Sequence, residues 1–292
     1  MNRTERLRTR LATGELLVVP GCQDALGARM IELAGFEAAY MTGFGTSAAL
    51  LGQPDIGLLS AAEMTDNARR IAAATALPVI ADADTGYGNP LNVARTVRDY
   101  ASAGVSAIQL EDQVAPKRCG HMDDKAVIPT TEMVGKIRAA SDAAGDDGPI
   151  IIARTDARAP EGVDEALERA RAYAEAGADV LFVEALRAVE EFAAVGAAGL
   201  GRPLVYNWVD GGKSPELTSA EVADLGYSIL LLPISVLLRA AAAMQDVLSD
   251  IAAHGVPSRA PEFEAGGNAF DAFTDLVGLP QMRATEQRYA ED

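Results

Sequence analysis

Short apolar runs alternate with longer stretches of helical spacing along this chain. Eight of the runs are β-branched or apolar, and most show continuous rather than alternating hydrophobicity, which is typical of parallel strands covered on both faces. We predict strands at 16–21, 37–43, 78–84, 107–112, 149–156, 179–185, 203–209 and 228–233. Helical patterns lie between them, so the chain reads as eight consecutive βα units.

The residues between the runs support this order. Strands two, four, six and eight each follow a glycine where a left-handed residue ends a helix: Gly35, Gly104, Gly177 and Gly226. Strands three, five and seven each begin at a proline, where a missing N–H costs little: Pro78, Pro149 and Pro203. Helix starts are marked by two capping boxes and one Asn-Pro pair: Ser60 with Glu63, Thr218 with Glu221, and Asn89-Pro90.

Eight βα units with no linker between them favour a closed (β/α)8 barrel of the TIM type over an open sheet. We place this barrel at residues 1–255. Residues 256–292 form a C-terminal extension, which we expect to be helical from about residue 265 onward.

Composition narrows the possible functions. The chain has 292 residues, 49% of them hydrophobic, and a net charge of −17, which disfavours binding to nucleic acid or to an anionic membrane. An anionic ligand must therefore be held by a local cationic pocket. Two cysteines form no disulfide framework, and the longest apolar stretch, 227–238, is interrupted by Pro233 and is too short to span a bilayer. We expect a soluble, cytoplasmic protein, and any small anionic substrate would be bound in such a pocket.

Polar side chains end most of the later strands, at the face where the active site of such a barrel lies. They are Asp82, Asp84, Glu111, Asp112, Arg154, Asp156, Glu184 and Asn207. Asp82 and Asp84 are two positions apart and would share one side of a regular strand. Together with Glu111 they predict a site for Mg²⁺, with Mn²⁺ as an alternative. The competing interpretation is that these carboxylates cap helices or pair with Arg154. Zinc is disfavoured because the chain has too few Cys and His ligands.

The segment QVAPKRCGHMDDKAVIP, which we call the cysteine loop (113–129), follows strand four and is longer than most connections in a barrel. Lys117 and Arg118 offer positive charge to an anionic substrate. Cys119, beside these cations and Gly120, can act as a nucleophile or as a proton donor. The alternative is a surface loop whose cysteine has no role.

A second informative loop follows strand two. Its residues Thr42, Gly43, Phe44 and Gly45 offer backbone N–H groups that can close around a carboxylate or enolate oxygen. A plain turn is the default interpretation of such a short motif.

Several motifs together resemble the isocitrate lyase/phosphoenolpyruvate mutase superfamily: LED followed by KRCGH, DADTGYG, MTGFGTSA with LGQPDIG, IIARTDA and NWVDGGKSP. The resemblance covers nearly the whole chain. It is strongest for the subgroup that contains methylisocitrate lyases, 2,3-dimethylmalate lyases and carboxyphosphonoenolpyruvate phosphonomutases.

The resemblance implies a barrel whose eighth helix is exchanged between subunits of a homodimer or homotetramer. It implies Mg²⁺ at Asp82, Asp84 and Glu111, and Cys119 as general acid with Lys117 and His121 beside it. It also implies a group of residues around the substrate, namely Tyr40, Thr42, Gly43, Phe44, Asp55, Arg154, Glu184 and Asn207.

The implied reaction is Mg²⁺-dependent cleavage of a 2-hydroxy di- or tricarboxylate to pyruvate or another 2-keto acid and a carboxylate. A phosphonomutase, an oxaloacetate hydrolase or an oxaloacetate decarboxylase are the alternatives. Two positions depart from the methylisocitrate lyases, which tend to have Ser-Gly-Gly at Thr42–Phe44 and a different segment after Asn207. Both departures suggest a differently shaped substituent at C3 of the substrate.

Overall fold

A computed structural model describes residues 1–120, 125–263 and 268–290. It contains eight strands: β1 (Leu17–Cys22), β2 (Ala39–Met41), β3 (Val79–Asp82), β4 (Ala107–Glu111), β5 (Ile150–Thr155), β6 (Val180–Val183), β7 (Val205–Asn207) and β8 (Ile229–Leu232). All eight predicted strands are confirmed. Most are shorter than predicted, because the polar residues at their ends leave the sheet to form the loops of the site.

The strands are parallel and follow the order β6-β5-β4-β3-β2-β1-β8-β7. β6 and β7 are the outermost strands of this order. An isolated parallel bridge joins Leu181 of β6 to Leu204, the residue before β7. The sheet is therefore a nearly closed barrel, and the predicted (β/α)8 fold is confirmed. Alternate residues of the strands fill its interior, among them Val19, Ile80, Ile152, Phe182 and Leu231, and Leu7 and Leu11 of the first helix belong to the same buried cluster.

Thirteen helices lie within the described ranges. They are α1 (Arg3–Ala12), α2 (Ala25–Leu33), α3 (Gly43–Leu51), α4 (Ala61–Ala74), α5 (Pro90–Ser102), α6 (Thr130–Ala144), α7 (Arg158–Glu161), α8 (Val163–Glu175), α9 (Val189–Gly196), α10 (Ser219–Asp224), α11 (Ser235–His254), α12 (Ala269–Leu276) and α13 (Leu279–Ala290). The barrel helices bury apolar faces in a second, larger core that contains residues such as Ile71, Val97, Ile137 and Tyr173.

The helix caps predicted from the sequence are present in the structure. Both capping boxes form, and Asn89 accepts hydrogen bonds from the N–H groups of Leu91 and Asn92. The four glycines before the even-numbered strands have φ of 82°, 89°, 108° and 84°, the left-handed conformation that ends a helix.

The chain divides into two compact units, Met1–Leu237 and Leu238–Asp292. The first unit contains all eight strands. In the second unit α12 and α13 agree with the helices predicted from about residue 265, and the rings of Phe263 and Phe273 lie 6.3 Å apart. The predicted boundary at 255–256, the exchanged helix and the oligomer stay predictions. No described helix is long and apolar enough to cross a membrane.

Candidate active site

A cavity of about 240 Å³ opens at the carboxyl ends of the strands. Eleven of the residues predicted for the site line it: Tyr40, Thr42, Phe44, Asp55, Asp82, Glu111, Lys117, Cys119, Arg154, Glu184 and Asn207. Asp84 and Gly43 are buried beside these residues. His121 lies outside the described residues. Because the strands of the barrel end at one face, side chains from most of the strands meet in this cavity.

The predicted N–H turn after β2 is the start of a helix. Thr42 caps α3 by accepting a hydrogen bond from Gly45 N (3.2 Å), and Gly43 N donates to Asp82 Oδ2 (3.2 Å). Two of the N–H groups expected to face a substrate are thus used within the protein. A Cβ atom at residue 43 would overlap the Asp82 carboxylate, which explains the glycine.

Asp82 and Asp84 do not share one side of a strand, so that premise of the prediction is wrong. β3 ends at Asp82, and Asp84 follows with a left-handed φ of 48°. This turn lets Asp84 N donate to Asp82 Oδ1 (3.1 Å), and Gln109 Nε2 donates to the same oxygen (3.4 Å). The side-chain oxygen of Gln109, Oε1, accepts from the Tyr40 hydroxyl (3.0 Å), so Tyr40 and Asp82 are held by one amide.

Lys117 reaches from the cysteine loop into this acidic group. Its Nζ lies 2.6 Å from Asp55 Oδ2 and 2.9 Å from Asp84 Oδ1, and all three side chains are buried. Burial acts to lower the pKa of Lys117, but Asp84, Asp82 and neighbouring carboxylates raise it well above its usual value. Burial raises the pKa of Asp84 to about 6, against the effect of Lys117 and with a further rise from Asp82 and Asp55.

Arg154 organises the opposite side of the cavity. Its guanidinium forms two hydrogen bonds to Asp156 (2.9 and 3.0 Å) and lies 3.3 Å from both Glu111 Oε2 and Glu184 Oε2. Asn207 Nδ2 donates to Glu184 Oε2 (3.0 Å). Burial raises the pKa of Glu111 well above its usual value, although Arg154 opposes the shift. For Asp156, Arg154 and Lys125 outweigh burial and hold the pKa below its usual range.

Residues 117–120 of the cysteine loop line the cavity. Cys119 is half-buried in the cavity wall, and its N–H donates to Asp55 O (3.2 Å). Gly120 packs so closely that a Cβ there would overlap Arg154 and Glu184. Lys125 Nζ donates to Gly120 O (2.6 Å) and to Asp156 Oδ1 (2.7 Å).

The cavity carries an excess of negative charge. Its described lining has five carboxylates, on Asp55, Asp82, Glu111, Glu184 and Asp210, and three cations, on Lys117, Arg118 and Arg154. A site that binds an anion needs more positive charge than this. Asp84, buried beside this lining, adds a further carboxylate, and Lys117 is shared between it and Asp55. The donor set therefore suits an added divalent cation.

No three Asp, Glu, His or Cys side chains of the described chain converge into a complete metal site. The Lys117 ammonium lies between Asp55 and Asp84 instead. The assignment of Asp82, Asp84 and Glu111 as metal ligands accordingly stays a prediction, supported by charge and donor type.

Several residues of the site were not predicted from the sequence. Gln109, Gln113 and Lys125 hold site residues through buried hydrogen bonds, and an apolar wall comes from Val209, Leu231, Pro233 and Ile234. Gln113 could have been found, because it lies two positions after Glu111. The wall could not, because β8 ends without a charged residue.

The fold and this cavity define an enzyme whose active site is built from the strand ends of a (β/α)8 barrel. The family model described as phosphoenolpyruvate phosphomutase matches residues 7–252. The chain is 46% identical over 290 residues to the 2,3-dimethylmalate lyase of Eubacterium barkeri, covering 99% of both chains. It is 44% identical over 254 residues to the probable 2-methylisocitrate lyase 2 of Corynebacterium glutamicum, covering 87% of this chain and 82% of that one.

A solved structure of oxaloacetate acetylhydrolase in complex with the inhibitor 3,3-difluorooxalacetate has a TM-score of 0.92 and 38% identity to this chain, covering 99% of this chain and 97% of the other. The chain belongs to the phosphoenolpyruvate mutase/isocitrate lyase superfamily, as the motifs predicted, and it is a carbon–carbon lyase of that superfamily.

Proposed function

We propose that this lyase cleaves the C2–C3 bond of a 2-substituted malate and releases pyruvate or another 2-keto acid together with a carboxylate. The observation that carries the proposal is the position of Cys119 in the wall of the same cavity as Asp82, Glu111 and Arg154. A potential proton donor and the groups that would hold a hydroxy acid thus line one cavity. The similarity to 2,3-dimethylmalate lyase supports the same reaction class.

Mg²⁺ is the proposed cofactor, with Mn²⁺ as an alternative, and Asp82, Asp84 and Glu111 would hold it. When bound, it would stabilise negative charge on the C2 oxygen and the adjoining carboxylate of the substrate. The acid excess of the cavity supports this assignment.

Arg154 and Asn207 are proposed to orient the substrate. Asp156 fixes the guanidinium through two hydrogen bonds, so that Arg154 can meet a carboxylate without losing side-chain freedom on binding. Asn207 Oδ1 is buried and has no hydrogen-bond partner in the described structure, which suits it to accept from a substrate hydroxyl.

The chemistry assigns Cys119 its role. Cleavage turns C2 into a ketone after its hydroxyl proton passes to a cavity carboxylate, and the bonding electron pair moves to C3 and its carboxylate. C3 must then receive a proton, and the Cys119 thiol, which lines the cavity, can donate it. The docked loop supports this role because Cys119 lines the cavity while its backbone binds Asp55.

The wall near the end of β8 favours a dicarboxylate substrate. Val209, Leu231, Pro233 and Ile234 make this wall apolar, and the charged side chain in it is Asp210, which accepts a 2.5 Å hydrogen bond from Ser235. An alkyl group at C3 suits such a surface, whereas a third carboxylate would meet an acid there. We therefore favour an alkyl-substituted malate over methylisocitrate.

A substrate panel tests the proposal. The purified chain is incubated with Mg²⁺ and malate, 2,3-dimethylmalate, methylisocitrate or oxaloacetate, and keto-acid formation is followed by a coupled assay. We expect the highest kcat/KM with 2,3-dimethylmalate. If oxaloacetate is the only compound cleaved, the proposed lyase activity is wrong and the protein is an oxaloacetate hydrolase or decarboxylase. A new C–P signal in phosphorus NMR with a phosphoenolpyruvate analogue would replace it by a phosphonomutase.

A further inference from the structure

We propose that Gln113 is a positioning residue that fastens the cysteine loop next to Cys119. The proposal rests on the proposed function only for what Cys119 does once it is held. Gln113 lies just past β4 and is buried. Its Nε2 donates to Glu111 Oε1 (2.9 Å) and to Arg118 O (2.7 Å), and its Oε1 accepts from Arg118 N (2.9 Å).

One side-chain amide therefore binds both backbone groups of Arg118, the residue that precedes Cys119. Both amide hydrogens and the amide oxygen of Gln113 are engaged. On the other side of Cys119, Lys125 Nζ binds Gly120 O (2.6 Å). The backbone around the thiol is thus held from two directions, and Gln113 provides the hold on the N-terminal side.

The backbone of Gln113 does not depend on the contact with Arg118. Gln113 and Val127 form an antiparallel bridge, and Val114 N donates to Ala126 O (2.8 Å), so the two ends of the cysteine loop are joined at its base. The side chain of Gln113 can then bind or release Arg118 while its own backbone stays in place. Gln113 therefore has the fixed backbone that a residue holding this loop in place requires.

The same amide connects the loop to the floor of the cavity. Glu111 Oε1 and Arg118 O both accept from Gln113 Nε2, so the orientation of the Glu111 carboxylate and the docked loop favour each other. Glutamate could not replace this residue, because a carboxylate donates no hydrogen bond and would repel Glu111.

Alkylation of the thiols by iodoacetamide tests the proposal in the full-length, ligand-free protein. Peptide mass spectrometry follows Cys119 and Cys22 separately. Cys22 is fully buried, and burial together with Asp24 raises its pKa to about 12, so it reacts only when the barrel opens. Gln113→Ala and Gln113→Glu are compared with the wild type. Val114→Ala is the matched control, since that side chain is exposed on the same loop.

We expect alkylation of Cys119 to be at least about fivefold faster in both Gln113 variants, because the loop leaves its docked position more often. Val114→Ala should react at the wild-type rate, and Cys22 should react equally slowly in all four proteins. A wild-type rate at Cys119 in both Gln113 variants would overturn the proposal. Equal acceleration at Cys22 would also overturn it, because Gln113 would then support the whole fold and not the loop.

Kinetics give a second measurement. With the substrate that the panel identifies, kcat of Gln113→Ala should fall at least about tenfold while KM changes less than about threefold. Alkylation does not depend on turnover. A wild-type protein without lyase activity would therefore contradict the proposed function and leave the test of Gln113 intact.

Discussion

Lys117 Nζ lies 2.6 Å from Asp55 Oδ2, although the two residues are 62 positions apart in the chain. The same ammonium is 2.9 Å from Asp84 Oδ1. Both contacts are buried, so the cysteine loop is bound to the floor of the cavity by charge. Any change that undocks the loop also leaves two buried carboxylates without their cation.

We predict that Lys117→Met lowers the free energy of unfolding by about 3–5 kcal/mol, because Asp55 and Asp84 lose their buried partner. Urea denaturation followed by circular dichroism measures the change. Arg70→Met is the control, since the Arg70–Asp66 pair is exposed and should contribute less than about 1 kcal/mol. Equal effects of the two substitutions would contradict the buried ion pair.

Cys119→Ala should lower kcat by a factor of about 10² to 10⁴, the usual contribution of a positioned general acid. Its unfolding transition should match that of the wild type. The other cysteine provides the control: Cys22→Ala removes a buried thiol, so it should cost stability and leave kcat unchanged. Full turnover by Cys119→Ala would refute the proton-donor role.

Mg²⁺ binding should weaken in acid. The pKa of Asp84 is raised to about 6, so its carboxyl is protonated in the metal-free protein below that pH. We expect the Kd for Mg²⁺, measured by isothermal titration calorimetry, to rise about tenfold per pH unit below 6 and to change little from pH 7 to 8. Asp84→Asn should bind weakly at every pH. A wild-type Kd that is the same at pH 5 and 7 would count against Asp84 as a ligand.

The same shift affects the stability of the metal-free protein. The folded state holds the Asp84 proton more tightly than the unfolded state, because the folded pKa of about 6 lies above the usual value of 3.8. The contribution of Asp84 to stability therefore improves as the pH falls from 7 towards 4 and worsens as it rises. Comparing urea midpoints of wild type and Asp84→Asn across this range isolates the contribution.

Gly120→Ala should prevent docking of the cysteine loop, because a Cβ there would overlap Arg154 and Glu184. We predict a loss of about 100-fold in kcat/KM together with a lower unfolding midpoint, because an undocked loop takes Lys117 away from Asp55 and Asp84. Gly135→Ala is the matched control. It lies in α6 with its nearest neighbour, Pro90 Cγ, 3.8 Å from the added carbon, so it should keep activity and add up to about 1 kcal/mol of stability. Equal activity of both variants would show that docking is not needed.

Much of the fold was predictable because most strands are largely apolar runs and most are preceded by a glycine or a proline. The carboxylates at the strand ends could be assigned to one cavity, since parallel strands of a barrel end at the same face. The side of a strand on which a residue lies was predictable only inside the strand. Asp84 shows the limit, because its left-handed backbone depends on contacts that the sequence pattern does not display.

The pairing of groups within the site was not predictable. Nothing in the spacing indicates that Lys117 binds Asp55, or that Gln113 spans Glu111 and Arg118, because these contacts depend on how the cysteine loop folds back. The helix that begins after Thr42 differs from the predicted turn, because Gly43 and Gly45 have a low intrinsic preference for helix. Long-range packing of the loop decides the two pairings, and the helix start depends on the Thr42 cap and the contact of Gly43 N with Asp82.

Proton NMR of the reaction with 2,3-dimethylmalate and Mg²⁺ tests the central claim most directly. Cleavage of its C2–C3 bond predicts pyruvate and propionate in equal amounts, formed by the wild type and lost in Cys119→Ala. Unchanged 2,3-dimethylmalate in the presence of a folded, Mg²⁺-saturated wild type would contradict the account.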